Sequence, residues 1–225
     1  MSASHVPGLA SEAPTAAQMK ELFAQIESGR ITKAIMQIWL REGGLPDIDW
    51  ARVYDALGMS AEYAIKGMTM LLEGAGHWLV PVVAGVTPNK IVATLRRLGV
   101  AVYTYRDDLD AAVPTNDRDP KNGSYAVHFK KTVEADPEFA NLSANDLRDR
   151  EISGITLTER LLLELGYFLA TGKHLDVENV TLCSDSRYSD GYVPYVYWYP
   201  SFAQVYVNWF HPDYRLGDLR ARAAV

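Results

Sequence analysis

Two stretches near the C-terminus alternate residue by residue. Val196 and Trp198 alternate with Tyr195, Tyr197 and Tyr199, and Val205, Val207 and Trp209 alternate with Tyr206, Asn208 and Phe210. A repeat of two is the signature of a β-strand, in which residues i and i+2 share a face. Residues Pro200 to Gln204 between them form a five-residue hairpin connection. The pattern predicts paired strands with a Val and Trp face suited to a core. The Tyr, Asn and Phe face has two readings. It is a second buried layer, because Tyr favours strands, or a binding surface, because Tyr combines large contact area with low entropy cost and a hydroxyl.

Earlier in the chain the apolar spacing is helical. Thr15 and Gln18 form a capping-box pair, followed by Leu22, Phe23 and Ile26, and then by Ile35, Ile38 and Trp39 up to Gly43-Gly44. Ile48, Val53, Tyr54 and Leu57 predict a short helix ended by Gly58, and Met68 to Leu72 belong to another. Thr87-Pro88 is an N-cap followed by Pro at the first helical position, with Ile91, Val92, Leu95 and Leu98 on one face and Gly99 as the stop. Val100 to Tyr105 and Tyr125 to Phe129 read as strands, the latter expected in the same sheet as the C-terminal pair. Thr156 and Glu159 form a second capping box. Leu157, Leu161, Leu165, Phe168 and Leu169 follow as a stripe that Gly172 ends, a helix expected to cover the sheet's inner face.

The last stretch, Cys183 to Val225, has its own composition. It holds seven of the chain's 13 Tyr, no Lys and no Glu, and its four Asp balance four Arg within a chain of net charge −6. The segments between the strands use the same palette: Tyr188, Ser189, Asp190, Gly191 and Tyr192, then His211, Asp213 and Tyr214. The sequence pI near 5.4 argues against nucleic-acid binding driven by bulk charge. A single cysteine excludes an internal disulfide framework and a cysteine-based metal cluster. The longest apolar stretch, Trp78 to Val86, is too short to span a bilayer, so no membrane insertion is expected. Residues 1–14 lack the features of a signal peptide and are expected to be a disordered start. A cytoplasmic location is the default expectation, with a virion or an export route as alternatives.

The closing frame R-Y-S-D-G-x-V-P-x-V-x-W, then V-x-V-x-W-x-x-P, then L-R-A-R-A, resembles the variable region of target proteins of diversity-generating retroelements. Gly154 to Asp176 resembles the segment that leads into it in such proteins from candidate-phylum bacteria. The resemblance covers about the last half of the chain. It implies a C-type lectin fold of the formylglycine-generating type, without that enzyme's paired-cysteine chemistry. It also implies that a reverse transcriptase substitutes bases at template adenines, chiefly in AAY codons. Changes in the first two bases of AAY reach Asn, Tyr, Ser, Asp, His, Gly and Phe, but never Lys, Glu, Gln, Met or Trp. The expected scaffold residues Trp198, Trp209 and Gln204 lie outside the reachable set, and the outer-face and loop residues lie inside it.

The expected organisation is α+β: residues 1–14 disordered, a helical module over 15–99, and a C-type lectin-like domain over 100–225 with a variable region at about 183–225. The expected function is non-covalent recognition of an unknown protein or other macromolecule. The binding positions would be Tyr188, Tyr192, Tyr195, Tyr197, Tyr199, Ser201, Phe202, Tyr206, Asn208, Phe210, His211, Asp213 and Tyr214, on a scaffold of Val196, Val207, Trp198 and Trp209. No cofactor, metal or catalytic residue is expected. None of the five His forms an HExxH or other close ligand pair, and Asp107-Asp108-Leu109-Asp110 lacks the glycine and closing glutamate of an EF-hand loop. The alternatives are a hydrolase-like enzyme using His128, His174 or the Asp107 to Asp110 cluster, and an interaction protein that binds through its helical module.

Overall fold

The computed structural model describes residues 20, 23, 24, 26–28, 45–61, 65 and 76–225. Chain contacts divide Met1–Leu45 from Pro46–Val225. In the first unit Lys20, Phe23, Ala24, Ile26 and Glu27 are helical, and the Ser28 amide donates to the Ala24 carbonyl at 3.0 Å. The expectations on residues 1–14, on the Thr15 capping pair, on Ile35 to Trp39 and on Met68 to Leu72 fall outside the described residues.

In the second unit five helices start where a described short polar side chain takes the place of the missing helical acceptor. Asp49 accepts from the Arg52 amide at the start of α1 (Trp50–Ala56), and Thr87 from the Lys90 amide at α2 (Pro88–Arg97). Asp108 caps the single turn α3 (Leu109–Ala112). Reciprocal capping boxes open α4 (Ala144–Asp149), from Ser143 and Asp146, and α5 (Leu157–Thr171), from Thr156 and Glu159. Gly172 ends α5 in the left-handed conformation at φ 69°, where a side chain would be strained.

α5 is the central element. Every residue from Leu157 to Tyr167 is buried, not only the apolar stripe. The helix is enclosed because α1, α2, a strand β1 (His77–Val82) and the main sheet pack around it. At Gly166 a β-carbon would lie 2.8 Å from Ile48 Cγ2, so this position is glycine because the segment before α1 crosses there.

The main sheet has five strands in the order β2 (Ala101–Thr104), β8 (Gln204–Phe210), β7 (Val193–Tyr199), β5 (Val180–Leu182) and β9 (Leu219–Arg220). β7 and β8 are the antiparallel hairpin read from the alternation, with Val196 opposite Val207 and Tyr197 opposite Tyr206. β2 joins β8 in parallel, and β9 joins β5 in parallel. The hairpin connection contains a 3-10 turn at Pro200–Phe202. Two short strands, β3 (Thr115–Asn116) and β6 (Ser186–Arg187), pair separately.

Two expectations change. The chain does not divide at Gly99, and the segment before it is not wholly helical. β1 lies there and pairs along its whole length with β4 (Tyr125–Lys130), Val80 opposite Val127. Trp78, Val80, Pro81 and Val82 of this strand are buried and β1 packs on α5, within the same unit as the sheet, Pro46–Val225. For the same reason Tyr125 to Phe129 lies in a two-stranded sheet with β1 and not in the five-stranded one.

One face of the main sheet, carrying Val196, Val205 and Val207 at 0% exposure, lies on the α5 side. The opposite face is only partly covered. Phe139, Leu142, Ala144, Leu147 and Ile152 cover its β5–β9 end, packing with Leu182, Val193 and Leu219 of the strands. The β7–β8–β2 end of that face carries the aromatic rings.

Candidate functional site

The hairpin register brings the outer-face side chains into a continuous patch. Tyr197 lies opposite Tyr206, Tyr195 opposite Asn208, and the parallel strand β2 sets Tyr103 beside Tyr206. Tyr103 stacks on Tyr206 with ring centroids 4.5 Å apart. Tyr195 stacks on Phe210 at 4.2 Å, and Phe210 on Tyr214 at 4.5 Å. Tyr197 and Tyr199 approach Tyr206 edge-on at 5.6 and 5.9 Å, and Phe202 lies 5.0 Å from Tyr199. Eight rings are thus joined, from strands β2, β7 and β8, the hairpin turn and the loop after β8. The Asn208 side-chain amide donates to the Tyr206 hydroxyl at 3.2 Å.

Exposure grades across the patch. Phe202, Tyr214 and Tyr103 are exposed at 66, 42 and 40%, while Tyr195, Tyr197, Tyr199, Tyr206 and Phe210 are half-buried, mostly by one another. Tyr195, Tyr197 and Phe210 also rest on the small core under α4. Burial, and then the neighbouring phenols, raise the Tyr195 and Tyr197 hydroxyls above the ordinary tyrosine range. These hydroxyls stay protonated at neutral pH, so they present hydrogen-bonding groups without charge.

The remaining positions lie apart from that patch. Ser201 lies exposed in the hairpin turn beside Phe202. His211 and Asp213 are exposed in the loop after β8, and that loop is pinned to α4. The Asn145 amide donates to the Pro212 carbonyl, the Asn145 side chain to Asp213, and Arg215 makes two bonds of 2.6 Å to Asp146. Tyr192 and His211 belong to another group, because they follow the strand alternation onto the α5-side face. Tyr192 stacks on Trp209 at 4.1 Å, with His211 at 5.9 Å from Tyr192 and Tyr105 at 5.7 Å from Trp209. Tyr188 is 4% exposed beneath Tyr105 and is not displayed.

The scaffold residues divide too. Val196 and Val207 are at 0% exposure. Trp198 and Trp209 share their face but are half-buried. Trp198 stacks flat on His174, whose other face lies against Phe168. Tyr103 was missed in sequence, although the alternation of Val100, Val102 and Thr104 left it on the outward side of its strand.

Behind β7 and β5 lies a charged cluster with no sequence motif. Asp176 is fully buried. It accepts from Arg160 Nε at 2.8 Å, from the Thr181 hydroxyl at 2.5 Å and from Arg222 Nη2 at 2.7 Å. Arg160 also donates to Glu164 at 2.9 Å, and Glu164 meets His174 Nδ1 at 2.8 Å. Burial disfavours a charged Asp176, but Arg222 and Arg160 outweigh it and hold the carboxyl below its usual range. The Asp176 carbonyl accepts from the Trp198 amide at 3.0 Å, so the cluster ties directly to β7.

The groups considered for enzymatic chemistry have structural partners. His174 is held by its stack and by Glu164. His128 lies on β4, and its amide and carbonyl pair with Val225. Asp108 caps α3 and accepts from the Asn89 side chain, and Asp110 accepts from the Asn89 amide. Among the described residues no three His, Cys, Asp or Glu side chains converge in a metal-ligating group, and no helix is long and apolar enough to cross a membrane.

The chain matches no protein-family model, no curated protein and no solved structure. What it displays is an exposed, tyrosine-rich aromatic patch on a mixed α+β framework.

Proposed function

We propose that this protein is a binding protein whose tyrosine-rich face recognises a macromolecular partner without covalent chemistry. On this reading the face is the variable region of a retroelement target protein, and residues 100–225 are its C-type lectin-like domain. The observation that carries it is the joined patch of eight rings on the outer face, with Val196, Val205 and Val207 wholly buried on the other. A diversified binder needs that separation, because exchange on one face must leave the other packed. Tyrosine suits the task. It gives a rigid amphipathic contact at the cost of two side-chain torsions. The patch grades from exposed rim to half-buried centre, as expected where a few central aromatics supply most of the binding energy.

The test is genetic and precedes any ligand. Beside the gene there should be a reverse transcriptase gene and a near-copy of the 3′ coding region that differs at adenines. The differing codons should fall at Tyr195, Tyr197, Tyr199, Tyr206, Asn208 and Phe210 and in the flanking loops. Differences concentrated at Val196, Trp198, Val207 and Trp209 would overturn the assignment of display and scaffold. In the protein, replacing Tyr197 and Tyr206 together with Ser should preserve the fold and weaken partner binding by about 2 kcal/mol or more. The structure adds a stability cost of about 2–4 kcal/mol for that pair, from half-buried ring area and lost ring contacts.

A further inference from the structure

Between α4 and the segment Ser184 to Arg187 lies a cavity of about 420 Å³, and none of the rings of the aromatic patch lines it. Its size is that of a small-molecule site. Ala144, Leu147 and Ile152 supply an apolar floor, and Asp117, Arg148, Glu151 and Arg187 stand around it. Asp185 also reaches the cavity, but its carboxylate is already used by Arg118, by the Ser153 hydroxyl and by the Gly154 amide.

Asp117 and Arg187 are different. Arg187 is held rigidly, because one guanidinium nitrogen, Nη1, donates to the carbonyls of Ser184 at 2.5 Å and Ser186 at 2.8 Å. Among the described residues its other nitrogens have no protein acceptor. Asp117 is placed by its amide, which donates to the Asp185 carbonyl at 2.9 Å, and its carboxylate has no hydrogen-bond donor among the described residues. Burial and the charge of Asp185 raise the Asp117 carboxyl above its usual range, and Arg187 and Arg118 oppose them. Burial lowers the Arg187 guanidinium; Asp117 opposes this, and Arg148 adds to it. The cavity therefore holds a carboxylate and a guanidinium that feel each other's charge without a hydrogen bond between them, over an apolar floor.

We propose that this cavity binds a free α-amino acid with a small apolar side chain. Its carboxylate would lie between Arg187 and Arg148, its ammonium against Asp117, and its side chain on Leu147 and Ile152. A simple anion would satisfy the arginines but meet Asp117. A simple cation would do the reverse. A neutral apolar ligand would strip water from both charges without replacing it, which is unfavourable. A zwitterion answers both, and charge-assisted bonds at each end fix its orientation. This inference stands apart from the reading of the aromatic patch, and either can fail alone.

The experiment is isothermal titration of the full chain with L-leucine, L-valine and L-alanine. L-leucinamide, which lacks the carboxylate, and 4-methylpentanoate, which lacks the amine, are the comparison ligands. At least one amino acid should give saturable one-to-one binding, and the two comparison ligands should each bind roughly tenfold or more weakly than leucine. Arg187 braces its own loop, so the variants that carry the test are Asp117→Asn and Arg148→Gln, both at exposed positions, with circular dichroism to show the fold is kept. Asp117→Asn should remove the preference for leucine over 4-methylpentanoate, and Arg148→Gln should weaken leucine several-fold. Absence of saturable binding by all three amino acids overturns the proposal. So does 4-methylpentanoate binding as tightly as leucine, or an Asp117→Asn variant that keeps the full preference.

Discussion

The buried charge cluster behind β7 is part of the framework on which the aromatic face rests, and Asp176→Asn is its sharpest probe. The substitution keeps shape and volume and removes one charge. In the native chain Arg160 and Arg222 balance Asp176 and Glu164, all at 0–1% exposure. After substitution the buried cluster carries one uncompensated positive charge. The new amide also presents donors to a guanidinium on one side, where only an acceptor fits. Arg160 keeps Glu164 at 2.9 Å, and Arg222 keeps the carbonyls of Thr132 at 3.0 Å and Val133 at 2.6 Å, so the loss is partial. Removing one partner of a buried pair costs about 3–5 kcal/mol. That is a large share of the roughly 5–15 kcal/mol of a typical domain. With a urea slope of about 2 kcal/mol per molar, the unfolding midpoint should fall by about 2 M. The assay is equilibrium urea unfolding followed by far-UV circular dichroism. A midpoint shift under about 0.5 M would refute the reasoning, because it would mean that the cluster is solvated or that Glu164 suffices.

Three further outcomes follow. Trp198→Ala should cost about 2 kcal/mol, below the roughly 3–5 kcal/mol of a fully buried aromatic, because the ring is half-buried on His174; a chemical-denaturation series checks it. Asp146 should titrate well below the ordinary carboxylate value of about 3.9 by carboxyl-carbon NMR, because Arg215, and then Ser143, bond to its ionised form. Its folded value is depressed, so its hold on the loop carrying Tyr214 is complete above the unfolded value and is lost as pH falls through the folded one. A midpoint at the ordinary value would mean that the Arg215 bonds do not persist in solution. Cys183 should resist thiol reagents at pH 8 in the native state and react on unfolding, because it is fully buried and burial raises its thiol well above the usual range; rapid native modification would contradict that burial.

Local chemistry carried much of the architecture. The two capping signals, Thr87-Pro88 and Thr156 with Glu159, start helices at those positions, and Gly172 ends α5, because orphan backbone groups and left-handed φ are settled within a few residues. The hairpin followed from a repeat of two, and with it the placement of Tyr195, Tyr197 and Tyr206 on the face away from Val196, Val205 and Val207. The exact faces of Tyr192 and His211 were also fixed by that alternation, yet composition grouped them with the outer tyrosines.

Other features depend on which distant segments meet. Trp78 to Val82 is a short apolar run that suits a buried strand or a buried helix equally, and its pairing with Tyr125–Lys130 decided the matter. Nothing near Tyr103 in sequence marks it as a partner of Tyr206; the parallel docking of β2 on β8 does. Asp176, Arg160 and Arg222 carry no motif, because a buried ion cluster is recognised only once three separated segments exclude water from it. The depth of the aromatic face was likewise a tertiary matter. Alternation assigns a side chain to a face, but how far that face is covered depends on where Phe139 to Ile152 stops across the sheet. Sequence periodicity reports the direction of a side chain, whereas burial and charge pairing are properties of what arrives opposite it.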